Sequence, residues 1–147
     1  MSLTTKTLSS SFTKVVEAVI TLAGTVGGYG GRYGRMAGAH AIHNGLSFIE
    51  ETHSILHGQK VAYGILVQLL LENRIDEAKE LIPFYNDLGF PTSFEELGIT
   101  HHQEQAMKQI AAHAIKPEES LQLMGAYNEK DVIEAIKQLE NLLVKNY

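Results

Sequence analysis

The 147-residue chain has no cysteine, no tryptophan and only three prolines. Without thiols there are no disulfides and no thiolate metal sites, so any metal must be held by His, Asp or Glu. The same absence fits a reducing, cytoplasmic setting. Positive charge is also scarce: 12 Lys and Arg against 17 Asp and Glu leave a net charge of −5 with no basic run. That balance argues against nucleic acid or an anionic membrane as partner. The longest charge-free apolar stretch, "AVITLAGTVGGYGG" from Ala18 to Gly31, is too short and too rich in glycine to span a bilayer. It also lacks the charged leader and small-residue cleavage site of a secretory signal.

What remains is globular composition, with 44% hydrophobic and 20% charged residues in a length that can bury a core without staples. No run alternates with period two, so the expectation is an all-α helical bundle forming a single domain over residues 1–147. Phe12, Val15, Val16, Val19, Leu22 and Val26 follow helical spacing behind the candidate caps Ser9 to Ser11. The glycines of "GTVGGYGGRYG" predict a tight turn after that helix. They do not make a dinucleotide fingerprint, because Tyr33 stands in the third glycine position and no strand precedes it.

A second helix is expected over 36–49, with Ala39, Ile42, Leu46 and Ile49 as its apolar stripe. The stretch from His57 to Glu72 is apolar nearly all round, which predicts a central, surrounded helix. Pro83 predicts a break or kink in the next helix, and Gly89 its end. Ser93-x-x-Glu96 and Thr100-x-x-Gln103 read as capping boxes. Asn128 caps a last helix whose inner face is Val132, Ile133, Ile136, Leu139 and Leu143.

Four of the seven histidines fall in "HAIHNGLSFIEETHSILHG", residues 40–58. His40 and His43 are three apart and His53 and His57 four apart, so each pair shares one side of a helical turn. Imidazoles converging from two helices are a common way to hold zinc or ferrous iron. The spacing permits a shared ion without requiring one, and a chance gathering of surface histidines stays open on spacing alone.

The wider text, "AGAHAIHNGL", "ETHSILHGQKVAYGILVQLLLENR" and "FYNDLGFPTS", resembles the glycerol dehydrogenases of the iron-containing alcohol dehydrogenase family. The resemblance runs from about Ser11 to about Ile136. It implies the all-helical C-terminal domain of the dehydroquinate synthase-like fold. In that family a divalent metal, usually zinc in the glycerol branch and iron elsewhere, lies in a cleft facing an NAD-binding α/β domain. Carried over residue by residue, the resemblance makes His40 and His57 the metal ligands and places His43 in the cleft as a candidate catalytic residue. Lys60 stands in the family's "HGEK" place behind Gln59 instead of Glu, and Gln122 stands where the family often has histidine.

The resemblance implies a metal-binding part of an NAD-dependent glycerol or polyol dehydrogenase, acting on a small alcohol. The family's third metal ligand is an aspartate earlier in its sequence, yet no Asp precedes His40 here. Only weak metal binding is therefore expected, with NAD a cofactor of the full-length enzyme alone. The alternatives are a non-catalytic helical remnant and a small-molecule-binding module that acts by packing or oligomerisation. Apolar surface once facing an α/β domain should favour self-association. Calorimetric titration of this chain with NAD is expected to show no binding, and micromolar affinity would contradict the absence of a phosphate-binding turn.

Overall fold

The computed structural model describes residues 9–35 and 37–144, apart from the side chains of 32–35 and 143–144. Leu143 and Tyr33, used above, therefore lie outside the described side chains. Among the described residues every regular element is a helix, and none is long and apolar enough to cross a membrane. The chain divides into two compact units, Met1–Met36 and Ala37–Tyr147.

The first unit holds α1 (Ser10–Ala18), a π-helical turn at Val19–Ala23 and α2 (Gly24–Arg35). Ser9 caps α1, its Oγ accepting the Phe12 N–H at 3.1 Å. The glycine-rich stretch departs from expectation, because helical backbone continues through it. Each glycine costs a helix only about 1 kcal/mol. The helix bends only at Gly31, where φ reaches 51°, a backbone value open to glycine. Val15, Val19, Ile20 and Val26 are exposed.

The second unit contains α3 (Gly38–Leu46), α4 (His57–Leu71), α5 (Ile75–Leu88), α6 (Gln103–Ala114) and α7 (Glu129–Val144). Single 3-10 turns lie at Glu50–Thr52 and Ser120–Leu123. As its all-round apolar pattern predicts, α4 is central: it buries nine residues and packs against α3, α5 and α7. α3 lies between α4 and α6. Its first two N–H groups have no side-chain cap from Ala37 and are met by side chains from elsewhere. Gly38 N donates to Met124 Sδ at 2.9 Å and Ala39 N to Gln68 Oε1 of α4 at 2.9 Å.

α5 runs on through Pro83 and ends at Gly89, in left-handed conformation at φ 69°. The Phe90 and Gly89 N–H groups then bond back to the Tyr85 and Asn86 carbonyls, closing the helix end in the Schellman manner. Ser93 accepts the Glu96 N–H at 3.2 Å, but Glu96 reaches back to the N–H and hydroxyl of Thr92, and the segment stays a turn. The second expected box does not form. α6 opens after His102, in left-handed conformation, and Gln103 turns to the Ile99 carbonyl instead. Asn128 does cap α7, accepting from Lys130 N and Asp131 N while its own N–H donates to Asp131.

Glycine sets the approach of α3 to its neighbours. A Cβ on Gly64 would overlap the Ala39 carbonyl and stand 3.0 Å from Ala39 Cα, while one on Gly45 would stand 2.9 Å from Ile110 Cα of α6. Backbone cannot yield as a flexible side chain does, so Gly64→Ala must push α4 away from α3. It is expected to cost about 2 to 3 kcal/mol in urea unfolding, the upper part of the range for overpacked cores.

A half-buried carboxyl ties α7 to α4 and to the segment before α6. Glu140 Oε1 of α7 accepts from Phe94 N at 3.1 Å and from the hydroxyl of fully buried Tyr63 at 3.2 Å. Burial pushes the Glu140 carboxyl above its usual range, against the pull of those two donors. A carboxyl that holds its proton more tightly when folded adds stability below its ordinary value of about 4.3 and loses it as pH rises through the raised value. Glu140→Gln keeps an acceptor oxygen for Phe94. It should therefore gain stability relative to wild type as pH rises from mildly acidic toward neutral in denaturant titrations, and a difference independent of pH would disprove the assignment.

Candidate metal centre

α3 carries His40 and His43 one turn apart, and the chain must double back within ten residues to bring His57 to them. Thr52 makes the reversal possible. Fully buried, its hydroxyl lies 2.6 Å from the Leu46 carbonyl and 3.0 Å from the Ile49 carbonyl, adding to the backbone N–H that each already accepts. α4 then starts at His57, with the Leu56 N–H donating to Gln59 Oε1 at 3.2 Å. Glutamine thus serves the back-bonding half of a capping box in the place where the family resemblance expects Glu.

The result is a cluster of three rings. His40 and His57 have centroids 6.1 Å apart with planes tilted by 49°. His43 and His57 are closer, 4.3 Å and edge-on, with His57 Nδ1 3.0 Å from His43 Nε2. His43 Nδ1 lies 3.0 Å from Asn44 Oδ1, and Asn44 Nδ2 donates to Glu119 Oε2 at 2.9 Å. The Ser47 hydroxyl donates to the His43 carbonyl at 3.0 Å and receives Lys60 Nζ at 3.4 Å. Lys60 itself is buried, with 7% of its surface exposed.

Burial pushes the His40 imidazolium below its ordinary range, and nearby His57 lowers it further. His43 is lowered first by burial, against a smaller upward pull from Asn44. Both effects favour neutral rings, the form that binds metal. Two imidazoles sharing an ion through bonds of about 2.1 Å have centroids roughly 5 to 6 Å apart. The His40 and His57 rings, at 6.1 Å, stand at the wide end of that separation; His43 and His57 are too close and bond each other directly. Among the described residues no group of three or more His, Cys, Asp or Glu is arranged to hold an ion, so this chain offers two candidate nitrogen donors.

The remaining histidines lie elsewhere. His53 is exposed, its Nε2 3.2 Å from the Ser47 carbonyl. His101 and His102 are exposed, and His113 is half-buried and stacks on Phe48 with ring centroids 3.8 Å apart. Gln122 is exposed and donates to the Ile115 carbonyl. Sequence reasoning missed Asn44 and Glu119. Asn44 follows His43 directly, but Glu119 is 75 residues further on and no local spacing connects it to α3.

Comparisons with known proteins give the chain a family. Hydroxycarboxylate dehydrogenase A of Escherichia coli (strain K12) is 38% identical over 135 residues, covering 91% of this chain and 37% of that protein. Glycerol dehydrogenase of Thermotoga maritima is 34% identical over 139 residues, covering 90% and 36% respectively. The crystal structure of glycerol dehydrogenase from Schizosaccharomyces pombe superposes with a TM-score of 0.79 and 32% identity, over 94% of this chain and 35% of that one. No family model matches the chain. The all-helical architecture is that of the C-terminal helical domain in these dehydrogenase structures. The chain belongs to the iron-containing alcohol/glycerol dehydrogenase family. It spans about a third of the length of the curated relatives it matches.

Proposed function

We propose that this chain is the metal-binding helical domain of an NAD-dependent glycerol or polyol dehydrogenase, working with an NAD-binding α/β domain. The observation that carries the proposal is the placement of His40 and His57 at a separation suited to one shared ion, in a fold common to the glycerol dehydrogenases. His40 and His57 would hold a divalent ion, zinc foremost and iron as the alternative. When bound, such an ion supplies Lewis acidity, lowering the pKa of an alcohol so that hydride transfer to nicotinamide becomes feasible.

The chain's own residues then have separable tasks. His40 and His57 present neutral nitrogens from two helices held together by the tight α3–α4 crossing. His43 stands against His57 at the catalytic cleft, as the family resemblance implies. The substrate would be a small alcohol or polyol, and the relatives' names add hydroxycarboxylates as a neighbouring class.

Two neutral imidazoles leave most coordination positions and the whole charge of a dication uncompensated, so affinity should be modest. In a zinc titration, His40→Ala and His57→Ala should each weaken binding by about tenfold or more, the scale set by losing even a supporting contact at a metal site. Unchanged affinity in both variants would leave the histidines a chance cluster.

A further inference from the structure

The hydrogen bonds around His43 have a direction, and it can be read from the end that has no freedom. Oxygen Oε2 of the Glu119 carboxylate only accepts, so the Asn44 group 2.9 Å from it must be the amide Nδ2. The other Asn44 amide atom, Oδ1, also only accepts, so the facing His43 Nδ1, at 3.0 Å, carries that ring's proton. A neutral imidazole has one proton, which leaves His43 Nε2 with its lone pair. His57 Nδ1, 3.0 Å away, must then be the donor. The Ser47 hydroxyl does not upset this order, since it is 3.4 Å from His43 Nε2 and has the nearer His43 carbonyl to donate to.

We propose that Glu119, Asn44 and His43 form a relay of positioning residues that fixes the His57 proton on Nδ1 and so reserves Nε2 as its ligating atom. The proposal deepens the metal-centre assignment above, on which its metal arm rests. Histidine in water favours the opposite tautomer, with the proton on Nε2, so the relay works against the intrinsic preference of the ring. It also ties the ligand on α4 to a carboxylate in the segment after α6. The polarity is that of a metal-bound histidine whose second nitrogen donates to a supporting acceptor, with two further links added behind it. Along the chain Glu119 to Asn44 to His43 to His57, each member passes negative character to the next, which raises the donor strength of His57 Nε2.

The test begins with the metal-free full chain at about pH 8, well above the ordinary histidine value of ~6.5. Two-bond 15N–1H correlation spectra should show His43 and His57 both protonated on Nδ1. Protonation of His57 on Nε2 would overturn the proposal without need of any variant. Glu119→Ala and Asn44→Leu should each return His57 toward the Nε2–H form, whereas Glu119→Gln should restore the native pattern because its amide oxygen can accept from Asn44. Cobalt(II) titration, followed by its ligand-field absorption, should show affinity about 10- to 100-fold weaker in Asn44→Leu and near native in Glu119→Gln. If the wild type shows the Nδ1–H tautomers yet binds no cobalt, the relay stands and the metal centre fails. If cobalt binds equally well to the wild type and Asn44→Leu, the metal centre stands and the relay fails.

Discussion

Everything at the candidate site depends on how closely α3 is allowed to lie against α4. Gly64 faces the Ala39 backbone one residue before His40, and Gly45 faces Ile110 two residues after His43. α3 is therefore held by backbone contact on both flanks of its histidine turn. Ordinary side-chain packing sets helix axes 8 to 10 Å apart. A methyl group at Gly64 would widen the gap between the helices that carry His40 and His57, and one at Gly45 would push α3 off its seat on α6. The glycines act on the site without contributing a functional group to it.

Polar contacts complete what close packing begins. A helix as short as α3 has nearly as many unpaired backbone groups as paired ones. Its N-terminal donors go to Met124 and Gln68, and its exit is fastened by Thr52. Ser120, next to Glu119, donates to the Ala37 carbonyl at 2.6 Å. The segment that supplies the end of the relay is thus bonded to the start of the helix carrying His43. Rotation of α3 about its axis would break the Asn44 contact and the caps together, which ties the direction of the histidines to the satisfaction of the backbone.

Legibility in the sequence followed the range of the interactions. α4 was readable because a helix apolar on every side has few places to go, and the caps Ser9 and Asn128 because capping is settled within four residues. The glycine run misled for the same local reason: six glycines among eleven residues signal a turn, whereas the backbone stays helical up to Gly31. The Thr100 box failed because the Thr100 N–H donates to the Gly98 carbonyl while the Gln103 amide nitrogen donates to the Ile99 carbonyl, an arrangement around the turn at Gly98 that is invisible to spacing rules. In the site, His40 and His57 became candidate ligands through motif resemblance, since spacing alone left a chance gathering open. Asn44 could have been suspected from its place beside His43; Glu119 could not, since only the packing of the post-α6 segment on α3 brings it there.

The charge around the rings explains why two histidines do not amount to a complete centre. Lys60 is buried beside Ser47 and, through its charge, contributes to keeping His43 unprotonated. It also places positive potential next to the position a dication would take. The nearest carboxylate with a traced connection to the cluster, Glu119, reaches His57 only through two neutral side chains. Its charge can polarise the ligand but cannot neutralise an ion. Neutral donors, a buried cation and a remote anion together form an electrostatic environment in which a divalent ion gains geometry from this domain and lacks charge compensation. Tight binding then calls for an anionic ligand facing His40 and His57 from outside their two helices, and that demand follows from the chemistry of this helical unit by itself.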